Sequence, residues 1–350
     1  MKTLVIDVGT SGVRAAILLE DGSLHDLYYE SLPPTSVAPG LVEFDAEKMY
    51  ESVHRVASSA ARGHDVTAVG ITCQRASTVV WRQSTGRPVG PALGWQDLRT
   101  VGECIMARAT HGIAVAPNQT ATKAAWIINN LVEENERTSS DLRIGTVDSW
   151  LVWKLTNGTT HVTDHSNAAV TGLTNASGTE WNADVCAIFG ISPQHLPQIV
   201  DSAGFIANAI ELAGQPPITA IIGDQQASLV GQGCISNGQA KITFGTGGML
   251  DVFIGDTPPT EQTRRQHGTF PIVAFSRQRK VSYGTEAIML SAGTNIEWLC
   301  TDMGLLSSPE QSHEVASQCD TTDGVMYVPA LVGLGTPHWD YGARLSLIHI

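Results

Sequence analysis

Leu4-Val5-Ile6-Asp7-Val8-Gly9-Thr10-Ser11-Gly12-Val13-Arg14 governs the reading of this chain, because Phe244-Gly245-Thr246-Gly247-Gly248 repeats its Gly-Thr turn much later. Each turn follows a short β-branched or aromatic run and precedes another apolar run, which reads as strand, tight turn, strand. Glycines let the backbone approach a ligand closely, and clustered N–H groups form an anion-binding concavity. One such hairpin is as readily an ordinary glycine turn. Two of them, the first led by Asp7, point to two half-sites gripping a polyphosphate between two related domains, as an ATP clamp does.

Composition agrees with that reading. The 350 residues suffice for two domains, and 42% hydrophobic with 16% charged residues is the balance of a globular protein with a sizeable core. A net charge of -13 argues against nucleic acid or an anionic membrane surface as the main partner. It does not oppose ATP, whose phosphates are neutralised locally by N–H groups and a metal ion. The six cysteines are scattered without a CxxC pair, which favours reduced thiols in a cytoplasmic protein over a disulfide framework or zinc site. Asp7 interrupts the first apolar run, so no signal peptide is read, and no stretch approaches a membrane span.

Strands are expected at 4–7 and 14–19, with Asp21-Gly22 as the next turn and a helix running from the N-cap Asp45 to about residue 61. Residues 66–72 read as a buried strand ending in Cys73-Gln74-Arg75. A hairpin is expected around Ser84-Thr85-Gly86, an amphipathic helix at 121–132, and a strand ending at 145–148 before a helix at 149–155. Residues 214–217 are the best boundary signal, followed by an apolar strand at 218–222. A second α/β unit begins near Ala240, and 286–299 has helical spacing with Gly293 inside it. Glycine in a helix interior costs roughly 1 kcal/mol against alanine unless something must approach closely.

Neither GxxxxGK[ST] nor GxGxxG occurs, so a P-loop and a standard dinucleotide fold lose their support. Asp7, ending the first strand, suits a hydrated Mg²⁺ beside the phosphates, or caps its own turn. Asp224, ending an apolar strand, suits a base that accepts a proton from a substrate hydroxyl, with Gln225 bonding a neighbouring hydroxyl; a helix cap is the alternative role, and the two are compatible. Arg75, Trp95 and Asp97 suggest a wall that binds and stacks on a hydroxylated substrate.

Taken together, Asp7-Val8-Gly9-Thr10-Ser11-Gly12 with Arg14, Ile71-Thr72-Cys73-Gln74-Arg75, Gly145-Thr146-Val147-Asp148-Ser149-Trp150-Leu151 and His161-Val162-Thr163-Asp164 form an ordered series. Gly223-Asp224-Gln225-Gln226-Ala227, Thr243-Phe244-Gly245-Thr246-Gly247, Ala292-Gly293 with Trp298, and Val328-Pro329-Ala330 leading into Gly333-Leu334-Gly335 continue it. From residue 3 to about 344 the chain resembles the FGGY carbohydrate kinases, and within them the glycerol kinase group. The resemblance implies an α/β, actin-like ATPase fold of two ribonuclease-H-like domains around a central cleft, and ATP-dependent phosphorylation of a terminal hydroxyl.

By position, the resemblance assigns Thr10, Ser11, Gly12 and Arg14 to the nucleotide phosphates from the first domain, and Thr246 and Gly293 from the second. It gives Asp7 the Mg²⁺, Asp224 the part of general base, and Arg75, Trp95, Asp224 and Gln225 the polyol. Glu297 stands near the nucleotide where glycerol kinases have Gln. Two departures bear on the substrate: Ala76 replaces a Glu that binds a glycerol hydroxyl, and Asn118 replaces a glycerol-contacting Tyr. A kinase for another polyol or a ketose, and a non-catalytic binder, are the alternatives; retention of both Asp7 and Asp224 opposes the binder. The implied partner is a small polyol or sugar, with no nucleic acid and no membrane insertion, and with homo-oligomerisation left open.

The expected division is 1–235 for a polyol- and phosphate-binding domain and 236–344 for the start of a nucleotide-binding domain. Residues 345–350 depart from the family pattern and are read as a non-native tail on a shortened second domain. On that expectation the 350-residue chain binds ATP weakly and shows no measurable phosphorylation.

Overall fold

Leu4, Ile6 and Val8 alternate with less buried neighbours and are fully enclosed, the period-two burial of a strand. They belong to β1 (Thr3–Val8), which opens a computed structural model describing residues 2–259, 268–340 and 342–350. The chain divides into two compact units, Met1–Ala227 with Val273–Ser282, and Ser228–Ile272 with Tyr283–Ile350.

After β1 come β2 (Gly12–Leu18), β3 (Leu24–Ser31), β4 (Thr35–Ala38), β5 (Leu41–Phe44) and α1 (Ala46–Ala61). Next are β6 (Ala68–Cys73), β7 (Thr78–Arg82), β8 (Ala92–Leu93), α2 (Val101–His111), α3 (Thr120–Leu131), β9 (Leu142–Thr146) and α4 (Val147–Leu155). The chain continues through β10 (Val162–Asp164), α5 (His165–Ala169), α6 (Ala183–Ile188), β11 (Gln198–Val200), β12 (Ala203–Asn208), β13 (Pro217–Gly223) and α7 (Asp224–Gly231).

The main sheet of the first unit runs β12–β13–β6–β1–β2–β3. β1, β2 and β3 are antiparallel, whereas β6 and β13 lie parallel to β1 in turn. Three antiparallel strands followed by two parallel ones is the expected ribonuclease-H-like order. Parallel strands need crossover segments, and the polypeptide between β6 and β13 supplies the helices α2 to α6 and the strands β7, β8 and β9, which join β4 and β5 in a second, antiparallel sheet, β4–β5–β8–β7–β9.

α1 starts where expected because the Asp45 carboxylate accepts from the N–H groups of Glu47 (3.0 Å) and Lys48 (3.1 Å), a cap worth about 1 kcal/mol. Met49, Val53, Val56, Ala57 and Ala60 recur at helical spacing and are buried against Leu4, Ile6, Val13, Ala15 and Ile17. Each large side chain so buried contributes roughly 1.5–3 kcal/mol. A second core joins Ala121, Ala124, Ile127 and Ile128 of α3 to Val80, Leu142 and Ile144.

Three expectations need correction. Residues 214–217 are not a boundary but part of the turn joining β12 to β13, an antiparallel pair inside the first unit. The hairpin around 84–86, by contrast, forms as expected, with Arg82 N donating to Arg87 O (2.9 Å) and Val89 N to Val80 O (3.0 Å), while β7 also runs its full ladder along β9, which buries Thr78–Trp81 on both faces. α4 begins two residues early, at Val147, and is buried almost all round, so apolar periodicity could not mark its start. Finally, 286–299 is not one helix: β17 ends at Met289 and a separate helix starts at Gly293.

In the rest of the chain, β14 (Ala240–Phe244) and β15 (Gly248–Gly255) form the second Gly-Thr hairpin. They are followed by β16 (Phe270–Arg277), β17 (Lys280–Met289), α8 (Gly293–Thr301), α9 (Gln311–Ala316), β18 (Val325–Val328) and β19 (Ser346–His349). β15 also pairs with β17, placing buried Lys241, Asp251 and Glu286 side by side across three strands. Lys241 Nζ lies 2.7 Å from Asp251 Oδ2. β18 pairs antiparallel with β19.

Candidate active site

Three parallel strands end level with one another in the first unit: Val8 of β1 lies opposite Cys73 of β6, and Cys73 opposite Gly223 of β13. With neighbouring strands about 4.8 Å apart, Val8 and Gly223 are roughly 10 Å apart. The three strand ends lead directly into Gly9-Thr10, Gln74-Arg75 and Asp224-Gln225. The carboxyl ends of parallel strands are where open α/β sheets bind ligands.

The first turn is held from behind. Gly9 N donates to Gly12 O (3.0 Å), and Gln74 donates from its backbone N to Val8 O (2.8 Å) and from Nε2 to Gly9 O (3.3 Å). Gly12 is required by space: a Cβ there would sit 2.5 Å from Glu30 O. Thr10 Oγ1 accepts from Trp95 Nε1 (3.0 Å), which joins the first glycine turn to the Trp95 ring. Ser11 is exposed. Arg14 Nη1 lies 3.2 Å from Asp7 Oδ2 and its guanidinium covers the Tyr29 ring at 5.0 Å. Burial raises the Asp7 carboxyl above its usual pKa, while Arg14 pulls it back.

At the other strand ends, Arg75 Nε stands 3.7 Å from Asp224 Oδ1, and that oxygen accepts from Gln225 N (2.8 Å). Asp224 therefore bonds the first turn of its own helix, the cap role read from the sequence, and also faces a cation. Gly223 is glycine for space: a Cβ would meet Arg75 Cγ and Cδ at 2.9 Å and Gln226 Oε1 at 2.8 Å.

Asp97 does not belong to the wall. It is fully buried, and its carboxylate accepts from Val42 N (2.6 Å), Arg99 N (3.0 Å), Arg99 Nε (2.9 Å) and Arg99 Nη2 (2.9 Å). A bidentate arginine two residues away turns it into a loop clamp.

The two departures in the substrate region are neighbours. Ala76 is buried with φ 61°, and its carbonyl accepts from Thr78 Oγ1 (3.1 Å) and Thr120 Oγ1 (3.3 Å), two residues past Asn118. The Asn118 carbonyl accepts from Lys123 Nζ (3.0 Å), a fully buried lysine whose pKa burial pushes down to about 7 although Asp97 draws it up. Between pH 7 and 10.5 the unfolded chain thus binds more protons at Lys123 than the folded one, so this group makes stability rise with pH there. Wild type measured against Lys123→Met by denaturant titration should gain about 2 kcal/mol from pH 7 to pH 9; a pH-independent difference would show that Lys123 is not desolvated.

In the second unit, α8 is bolted to the glycine turn. Gly293 N donates to Gly245 O (2.8 Å), and Ala292 N (2.8 Å) and Thr294 Oγ1 (3.2 Å) donate to Thr246 O. Gly293 begins the helix rather than interrupting it, and a Cβ there would sit 2.7 Å from Gly245 O. Thr246 is exposed, and Glu297 is exposed one turn along α8.

Among the described residues no three His, Cys, Asp or Glu side chains form a metal-binding group. A hydrated Mg²⁺ takes one or two carboxylates and completes its shell with phosphate and water, and Asp7, desolvated beside the turn, presents one such carboxylate. Among the described residues no helix is long and apolar enough to cross a membrane.

Sequence reasoning missed the supports: Gln74 behind the turn, Lys123 under Asn118, and the buried Asp164, Ser166 and Asn167. The Asp164-x-Ser166 spacing was the available signal, since an Asp two or three residues before helical N–H groups is an N-cap pattern.

Comparison with known proteins agrees with this geometry. The FGGY family of carbohydrate kinases, N-terminal domain, matches residues 2–231. The glycerol kinase of Oceanobacillus iheyensis is 37% identical over 97% of this chain and 71% of that protein. That of Trichlorobacter lovleyi is 35% identical over 99% and 73%. The crystal structure of Plasmodium falciparum glycerol kinase with ADP superposes with a TM-score of 0.91 at 25% identity, over 100% of this chain and 72% of that one. A ligand-bound xylulose kinase from Lactobacillus acidophilus shares the fold at TM-score 0.85 and 19% identity, over 100% and 72%. The α/β, actin-like fold class expected from the sequence is therefore the observed one, and the chain belongs to the FGGY family of carbohydrate kinases.

Proposed function

We propose that this kinase transfers the γ-phosphoryl group of ATP to a terminal hydroxyl of glycerol or a closely related small polyol. The observation that carries the reading is the level ending of β1, β6 and β13, which sets the Gly9-Thr10 turn, Arg75 and Asp224 along one edge. Phosphoryl transfer asks the protein for positioning, charge neutralisation and an aligned nucleophile, and for little covalent chemistry. On this reading Asp224 accepts the hydroxyl proton, Arg75, Trp95 and Gln225 orient the polyol, and Thr10, Ser11, Gly12 and Arg14 meet the phosphates. Thr246, Gly293 and Glu297 meet the nucleotide from the second unit. Mg²⁺ held near Asp7 neutralises phosphate charge when bound. Support comes from the relatives named glycerol kinase and from the solved one holding ADP.

Coupled ADP release by the whole gene product, measured over glycerol, four- and five-carbon polyols and ketoses, tests this directly. Turnover with a small polyol is expected; no ADP release with any of the panel contradicts it.

The pocket should be less selective for glycerol than its relatives, because Ala76 offers no side-chain hydrogen bond and Asn118 no aromatic face. A site built to bond a hydroxyl discriminates strongly, since its polar groups otherwise stay unpaired. Ala76→Glu with Asn118→Tyr should raise kcat/KM for glycerol relative to longer polyols by about tenfold or more. An unmodified pocket that already strongly prefers glycerol would refute the argument.

A further inference from the structure

Behind Asp224 and Arg75 lies the fully buried Asp164 carboxylate. Asp164 Oδ1 accepts from Ser166 Oγ, Asn167 N and Asn167 Nδ2 (2.9 Å each), and Oδ2 from Ser166 N (3.0 Å) and Ser202 Oγ (2.6 Å). These bonds set the direction of two neighbouring side chains. Because the Ser166 hydroxyl spends its proton on Asp164, its lone pairs face outward, and Gly223 N donates to Ser166 Oγ at 2.9 Å. Because Asn167 Nδ2 is held by Asp164, its Oδ1 is turned to Cys73 Sγ at 3.9 Å. Burial pushes the Cys73 thiol well up, so it remains a donor.

Gly223 and Cys73 are the last residues of β13 and β6, directly before Asp224 and Gln74-Arg75. Space there is tight, since the Arg75 stem lies 2.9 Å from where a Gly223 Cβ would be. A shift of this peptide moves the base and disturbs its arginine together.

We propose that Ser166, oriented by Asp164, is a positioning residue for the phosphoryl-acceptor site: its hydroxyl holds the Gly223 amide and so fixes where Asp224 leaves the strand. The proposal rests on Asp224 being the base. A misplacement of about 1 Å at a reacting group costs on the order of 10²-fold in rate, whereas loss of an ordinary cap would lower stability and spare turnover.

The test uses the whole gene product, with melting temperature, kcat, and KM for ATP and polyol. Ser166→Ala should lower kcat about 10- to 100-fold, leave KM for ATP within a few-fold, and speed hydrogen exchange at the Gly223 amide. Ser166→Thr, which restores the hydroxyl, should return kcat to within a few-fold of wild type. In an Asp224→Asn background, Ser166→Ala should cost nothing further. Should Ser166→Ala fail to fold, Ser166→Cys keeps the volume, weakens the acceptor and carries the same expectation. Unchanged kcat in the serine variant while Asp224→Asn is inactive overturns the positioning role alone. A full further loss in the Asp224→Asn background also overturns it, because Ser166 would then act elsewhere. An active Asp224→Asn enzyme removes the base assignment, and this proposal falls with it.

Discussion

Asp224→Asn in the whole gene product is expected to lower kcat by about 10²–10⁴-fold, the usual contribution of a positioned proton acceptor. ATP affinity should stay within a few-fold of wild type. Asparagine keeps the size and the cap: its amide oxygen can still accept from Gln225 N, which the carboxylate does now at 2.8 Å. What it loses is the charge opposite Arg75, 3.7 Å away, and with it the basicity that the proposed proton transfer needs. The fold should therefore survive, and circular dichroism with equilibrium nucleotide binding checks that separately from turnover. Residual activity within a few-fold of wild type would remove Asp224 from catalysis.

The second large effect is expected at Gly293→Ala, where two terms oppose each other. Alanine is the better helix former by about 1 kcal/mol in a helix interior, so propensity alone predicts a more stable protein. Yet the new Cβ would sit 2.7 Å from Gly245 O, a backbone atom of the turn it must not displace. Relieving such overpacking typically costs about 1–3 kcal/mol, and Gly293 is only the first residue of α8, where the propensity gain is smaller. The clash wins. The expected result is lower stability and a loss of ATP affinity of tenfold or more, as the Gly245–Gly247 turn is pushed from its place. Unchanged ATP affinity together with a raised melting temperature would show that the close approach does not matter.

The strands carrying the site were legible because each ends in a residue pattern with its own physical demand. β1 and β2 alternate cleanly about a glycine turn, α1 announces itself with Asp45, and β13 is a short apolar run ending in Gly-Asp. What could not be read were the places where tertiary burial overrides local pattern. α4 is enclosed on every side, so periodicity gave no start for it. Glu286 looked helical because it heads a stretch in which Met289, Ala292, Ile296 and Leu299 recur three or four residues apart. In fact it is buried in a strand opposite Asp251. Asp97 looked like a ligand because it closely follows Trp95, and only the fold shows that it faces Arg99 instead. The Asp164–Ser166–Gly223 linkage joins residues far apart in sequence and leaves no local trace beyond a cap pattern.

The central claim is that a polyol hydroxyl meets Asp224 at the ends of β1, β6 and β13. A crystal structure of the whole gene product with a polyol and a non-hydrolysable ATP analogue measures it most directly. The account predicts the terminal hydroxyl within about 2.6–3.2 Å of an Asp224 carboxylate oxygen, with Arg75 and Gln225 on the adjoining hydroxyl and the Gly9–Thr10 turn toward the phosphates. A polyol bound elsewhere, with the Asp224 carboxylate engaged only by Gln225 N and Arg75, would contradict it.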